Sequence, residues 1–276
     1  MPTEANAQES SSERCGFKMT PDLEPNLFDT AGKVHSTLIR LLEACKSPNP
    51  ANIDEANLRR WLLYLSVLIL ESAGSALCLS FHGFQRTVDV LARQVFELTY
   101  KGLYLAKHID QATALSDSVA PQYKRLFEQL ADKRDEQLAS VIAKFTREFS
   151  GVQMGGRNEG RLNFYAILRE LEPADYEYLY AAHYEVPGYL LHGHPVGMLD
   201  VFRFNEGAVS SWHHRSLLGD VNLKLCTITW CEARYCLLLR DAFEVSDQDL
   251  SGIETLVADW RSIETRVQWL GAVKRT

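Results

Sequence analysis

Two stretches of the chain hold the residue types from which a polar site is built. In the first, Arg86, Arg93, Glu97, Tyr100 and Tyr104 follow one another at steps of seven, four, three and four, a spacing that sets them in one row along a helix. A guanidinium in such a row can grip an oxyanion through parallel hydrogen bonds, and a carboxylate one turn away can orient a ligand or an imidazole. In the second, YLLHGHPVG from Tyr189 to Gly197, His192 and His194 stand one residue apart between glycines and a proline. An imidazole there can move a proton near neutral pH, or it can simply end a helix. Gly193 suits the left-handed position past a helix terminus, Pro195 suits the stop beyond it, and a protonated His192 is favoured by the helix dipole.

Other chemistries find less support in the residues. His192 and His194, joined by His183 and by Glu97 or Asp200, would supply enough ligands for a metal, but ligands on one helical face sit three or four residues apart and this pair does not. The adjacent His213 and His214 point apart on a helix. No GxSxG elbow is present, and Cys78 and Cys226 lie in apolar runs, where a thiol stays protonated and inert. Cys226, Cys231 and Cys236 recur every five residues, a step of about 140° on a helix, so they read as small core residues rather than a thiolate cluster. GVQMGGRNEG, Gly151 to Gly160, contains neither GxGxxG nor GxxxxGK[ST] and reads as a loop. The expectation is a protein with no metal and no cofactor.

The elements that must position these residues are helices. Leu27, Ala31, Val34, Leu38, Leu41 and Cys45 mark one face of a first helix. A second starts after Asn52 or Asp54 and stops near His82-Gly83. In a third, Phe84, Val88, Leu91, Val95, Leu98, Gly102 and Leu105 form an apolar stripe opposite the polar row. Pro121 opens a charged helix, a short one spans Arg161 to Leu171, and Tyr176, Tyr180 and Tyr184 recur at four-residue steps before Val186-Pro187-Gly188, which bends or interrupts the helix. Helices over Ser216–Glu244 and Asp247–Leu270 follow, the last with Leu250, Ile253, Val257, Trp260, Val267 and Leu270 as its core face. Met198 to Trp212 is the least regular segment and the place for a short extended piece. The fold class is all-α, a single bundle of about seven or eight helices over residues 21–276, behind a disordered tail at 1–20.

Composition limits the partners. With 46% hydrophobic and 24% charged residues the chain can bury a core, and a net charge of −7 offers nucleic acid no overall attraction. Six cysteines without a CxxC pair fit a reducing cytosol. The opening MPTEANAQESSSER has neither a basic start nor an apolar core and is not a secretory signal. Trp61 to Phe81 approaches the length of a membrane span, but Glu71 at its middle costs roughly 3 kcal/mol in a bilayer, so a buried central helix is expected. The resulting expectation is a cytoplasmic protein that does not engage a membrane.

LARQVFELTYKGLYLAKHID (Leu91 to Asp110), taken with YEYLYAAHYEVPGYLLHGHP (Tyr176 to Pro195), resembles a bacterial helical family catalogued as domain of unknown function five-six-seven-seven. The resemblance covers roughly Leu58 to Arg240. It implies an Arg-x-x-x-Glu helix followed, after a charged insertion, by a tyrosine-rich helix ending in histidine, and Arg93, Glu97, Tyr180 and His192 occupy those places. Where serine or threonine often precedes the terminal histidine by a turn, this chain has Pro187-Gly188. A looser likeness to the HEPN ribonucleases fails on their hallmark, since no histidine here follows an arginine after four to six residues.

These observations point to a binding or accessory domain of undetermined activity. Its pocket for a protein partner or small polar ligand is expected at Arg93, Glu97, Tyr100, Tyr180 and His192, with Arg93 gripping an anion. A second reading makes the chain a metal-independent hydrolase or defence-associated nuclease, with His192 as acid/base and Arg93 facing phosphate. A third is an interaction bundle whose polar row is solvated. Self-association stays open.

Overall fold

The three-and-four spacing from Leu27 onward becomes a helix, α1 (Pro25–Ala44), that buries Ala31, Val34, Leu38 and Leu41. The structure, a computed structural model, describes residues 25–45, 50–117, 163–191, 202–205, 208–212, 221–245 and 250–260. The charged helix expected from Pro121, the glycine-rich loop and the N-terminal tail lie outside the described residues.

Helix α2 (Ile53–Phe81) begins at Asn52, whose side chain accepts the Glu55 N–H. The Glu55 carboxylate accepts the Ala51 N–H at 2.7 Å, so a first-turn donor and one just before the cap are both satisfied. The helix stops at His82-Gly83, where Gly83 has φ 82°, a left-handed conformation glycine adopts without steric cost. Helix α3 (Gln85–Lys107) follows, then a helical stretch at 109–117, α4 (Phe164–Leu171), α5 (Tyr176–Tyr180), a π-helical turn (Ala181–Glu185), α6 (Val186–Leu191), a hairpin of β1 (Phe202–Asn205) and β2 (Ala208–Trp212), and α7 (Val221–Phe243).

The core lies where α1, α2, α3 and α7 pack on one another. Tyr235 of α7 is fully buried and donates its hydroxyl to the Leu62 carbonyl at 2.9 Å. Gly102 makes room for it, because a Cβ at 102 would stand 2.6 Å from the Tyr235 ring. Trp230 stacks on Trp260 at 4.3 Å, which ties the helical stretch 251–260 to α7 and buries Leu250, Ile253 and Trp260 of its expected core face. Val267 and Leu270 fall outside the described residues.

Helix α2 is the one helix among the described residues long and apolar enough to cross a membrane. Here its apolar residues Leu62, Leu65, Ile69, Ala73 and Ala76 are buried in the protein core, and Glu71 sits on the exposed side. The architecture is all-helical, and among the described residues the one extended element is a short antiparallel hairpin, which carries an irregularity between Arg203 and Phe204. That hairpin falls in the segment read from sequence as least regular.

Two assignments need correction. On α3, Phe84 is 40% exposed and Leu91 and Leu98 are only partly buried, whereas Ala92, Phe96, Thr99 and Tyr100 are buried with Val88 and Val95. The cause is that α3 packs on α2 and α7 at once, so its buried arc is wider than one stripe. Cys78, read from its apolar run as an inert thiol, is exposed, while Cys226, Cys231 and Cys236 are core residues as expected.

Candidate functional site

Pro187 shapes the site first. It has no N–H to give the carbonyl four residues back, and its ring would press on that carbonyl. The chain meets this by widening one turn: Ala181–Glu185 is π-helical, and the N–H of Val186 bonds the Ala181 carbonyl five residues back. The helix therefore continues through Val186-Pro187-Gly188 rather than ending there. Beyond the wide turn, Gly188 faces α3, and a Cβ at 188 would lie 3.0 Å from Nη1 of Arg93.

Arg93 lies in this niche against an aromatic ring. Its guanidinium carbon lies 4.1 Å from the centre of the Tyr184 ring, a cation–π arrangement. Its Nε and Nη1 are buried, and neither has a hydrogen-bond partner among the described residues. No ion pair joins it to Glu97 among the described residues, although the i,i+4 spacing suggested one. Glu97 bonds Lys101 instead, at 2.6 Å, with both side chains near 30% exposed.

Beside the niche is a cavity of about 760 Å³. It lies between α2, α3, the stretch 109–117 and the start of α4. Trp61, Leu65, Leu98 and Phe164 form much of its wall, Tyr184 forms part of the wall nearest Arg93, and Glu97 and Lys101 contribute the charged groups. The tyrosines at four-residue steps build the adjoining surface. Tyr180 and Tyr184 have ring centres 5.1 Å apart, and Tyr165 meets Tyr180 edge-on at 5.1 Å. Burial raises the Tyr180 phenol above its ordinary range, with Arg93 pulling against it.

Tyr100 does not belong with them. It is fully buried on the side of α3 toward α7, where it donates to Glu172 Oε1 at 3.1 Å and accepts from Arg234 Nη1 at 2.8 Å. Arg234 also bonds Glu172 at 2.5 Å and lies over the Tyr100 and Trp230 rings at 5.1 and 4.8 Å. Burial carries the Tyr100 hydroxyl well above its ordinary range. The structure thus brings Arg93 and Tyr180 to one surface and Glu97 to the adjoining cavity, and assigns Tyr100 to a separate cluster. His192 and His194 lie outside the described residues. His183, one of the weighed metal ligands, is buried among Phe96, Trp260 and Thr227, whose hydroxyl is 3.3 Å from Nδ1. Among the described residues no group of three or more His, Cys, Asp or Glu is placed to hold a metal ion.

Sequence reasoning missed Tyr184 as the platform under Arg93, and Trp61 and Lys101 as cavity wall. Tyr184 had a visible signal, its four-residue step from Tyr180. Trp61 had none, since it reaches the cavity from a helix thirty-odd residues away.

Fold and site together define a helical domain in which an aromatic-backed arginine adjoins an aromatic-walled cavity. The chain belongs to the family of unknown function DUF5677, whose model matches residues 59–209, more than half its length. The match takes in α3, α5, α6 and most of α2, and stops before α7, so Arg234 is outside it. No curated protein and no solved structure matches the chain.

Proposed function

We propose that this is a ligand-binding domain whose recognition group is Arg93, taking the anionic end of a small polar ligand or of a partner's side chain. The observation that carries the reading is the state of the guanidinium: two of its nitrogens are shut away from water without an acceptor. Leaving a buried donor unsatisfied costs about 1–3 kcal/mol, and more when the group is charged, and an arriving oxyanion offsets that cost with charge-assisted hydrogen bonds. The residue as a whole is half-buried, so a ligand meets its exposed part first, and the flexible side chain must shift to present Nε and Nη1 to it. Stacking on Tyr184 fixes the plane of the donors before the ligand arrives, which lowers the ordering cost of binding.

The solvated-row reading fits Glu97 and Lys101 but not an arginine packed against a ring. The hydrolase reading assigns its acid/base chemistry to His192, which lies outside the described residues, and no observation favours it over binding.

Inorganic phosphate is the test. Added at tens of millimolar against chloride at equal ionic strength, it should raise the Tm of the wild-type protein by about 2–4 °C through mass action on the folded state. Arg93→Gln should remove the increment. An equal phosphate increment in the variant would overturn the reading, since the general salting effect of phosphate is common to both proteins.

A further inference from the structure

The cavity beside Arg93 constrains what carries the anion. Its volume of about 760 Å³ falls in the range of small-molecule pockets, about 300–1,000 Å³, which are mostly apolar with a few placed polar groups. That is the wall seen here: Trp61, Phe164 and leucines, with Glu97 and Lys101 as the charged pair. Tyr184 joins the two features, since it lines the cavity and carries the Arg93 guanidinium. Arg93, Glu97 and Lys101 also lie on one line of α3 at four-residue steps, each a rise of about 6 Å. The arginine therefore stands one turn from the cavity's charged wall.

A bare oxyanion would satisfy Arg93 and leave the cavity to water against aromatic rings. An uncharged apolar molecule would fill the cavity and leave the Arg93 donors unmet. A second negative charge deep in the cavity would face Glu97, whose own charge Lys101 already balances at 2.6 Å. Resting on the anion-binding reading of Arg93, we infer that the ligand is a planar apolar molecule with a single terminal oxyanion. Its body lies against Trp61 and Phe164, its oxyanion sits on Arg93, and the Glu97–Lys101 pair meets any neutral polar substituent.

Four probes test this by calorimetry on the full chain: inorganic phosphate, 1-naphthol, 1-naphthyl phosphate and 1-naphthylacetate. The two-part probes should bind at least about tenfold tighter than phosphate or naphthol alone, a factor worth about 1.4 kcal/mol, and their order tells a phosphate from a carboxylate headgroup. Leu98→Trp, which fills the cavity, should weaken naphthol and naphthyl phosphate by about tenfold or more and leave phosphate unchanged. Leu98→Phe should do the same to a smaller degree and serves if the tryptophan variant does not fold. Arg93→Gln should weaken naphthyl phosphate and phosphate while leaving naphthol unchanged. If naphthyl phosphate binds no tighter than phosphate and ignores both Leu98 variants, the two-part ligand is overturned while the Arg93 reading stands. If naphthol binding responds to the Leu98 variants but Arg93→Gln leaves phosphate untouched, the Arg93 reading fails, and the two-part ligand with it.

Discussion

Arg93 and Arg234 are two half-buried arginines, each laid over a tyrosine, and their surroundings differ in one respect. Arg234 meets Glu172 and the Tyr100 hydroxyl; Arg93 meets a ring and a glycine and, among the described residues, no acceptor at its buried Nε and Nη1. A guanidinium with its acceptors built in ties helices together: Arg234 joins α7 to α3 and to the residue that ends α4. A guanidinium with its stacking platform built in but its acceptor left out is prepared for something that comes and goes. The difference teaches that burial alone does not mark a functional arginine; what is missing around it does.

The largest test of that contrast is stability. Arg234→Met should destabilise the fold by about 2–3 kcal/mol in chemical denaturation, because it strands the Glu172 carboxylate and the Tyr100 hydroxyl in a partly enclosed site. Arg93→Met should hold or raise stability, by up to about 2 kcal/mol, since it removes two buried donors that lack an acceptor and the methionine can still cover Tyr184. Equal losses at the two positions would erase the distinction between a tie and a binding group.

Much of the scaffold around the two arginines is legible in the sequence, and the reason is local. The α1 stripe, the Asn52 start and the Gly83 stop of α2 each depend on residues within a few positions of one another. The same holds for Arg93 and Glu97 sharing a helix line. What was not legible depends on distance along the chain. Tyr100 was placed on the polar row because its spacing from Glu97 allows it; the partners that draw it inward stand 72 and 134 residues away. The π-helical turn was half-legible. Pro187 announced a disturbance, but whether a helix breaks or widens depends on what its next turn packs against, here α3.

A third charged contact, between α1 and α7, sharpens the comparison through pH. His35 Nδ1 lies 2.7 Å from Glu232 Oε1, and the Glu232 side chain is wholly buried. The hydrogen bond to Glu232 raises the His35 imidazole above its ordinary 6.5, against the opposing effect of burial. Burial raises the Glu232 carboxyl above its ordinary 4.5, against the pull of His35. Both shifts mean that the folded chain holds protons the unfolded chain releases. The His35 contribution is complete below pH 6.5 and is lost as the pH rises through the raised folded value, so the denaturation midpoint should fall across that window. His35→Gln should flatten the fall, whereas Arg93→Gln should leave it intact. A pH profile unchanged by His35→Gln would remove the pair as its source.

The smallest effect belongs to Gly188, and it probes whether the Arg93 niche is shaped or merely vacant. A methyl group at 188 would stand 3.0 Å from Arg93 Nη1 and 3.4 Å from the guanidinium carbon, tighter than relaxed packing. The arginine is a long, flexible side chain and can retreat by a few tenths of an ångström, so the fold should not suffer. Alanine inside a helix is in fact favoured over glycine by about 0.5–1 kcal/mol. Gly188→Ala should therefore keep or slightly raise the Tm while weakening phosphate binding about three- to tenfold, because the retreat tilts the donors off the Tyr184 ring that orients them. Gly188→Ser adds a hydroxyl at the same place, a possible acceptor for Arg93, and should weaken phosphate binding further by competing for the same N–H groups. If both variants bound phosphate as the wild type does, the glycine would be only a small residue in a crowded contact, and the orientation of Arg93 would owe nothing to it.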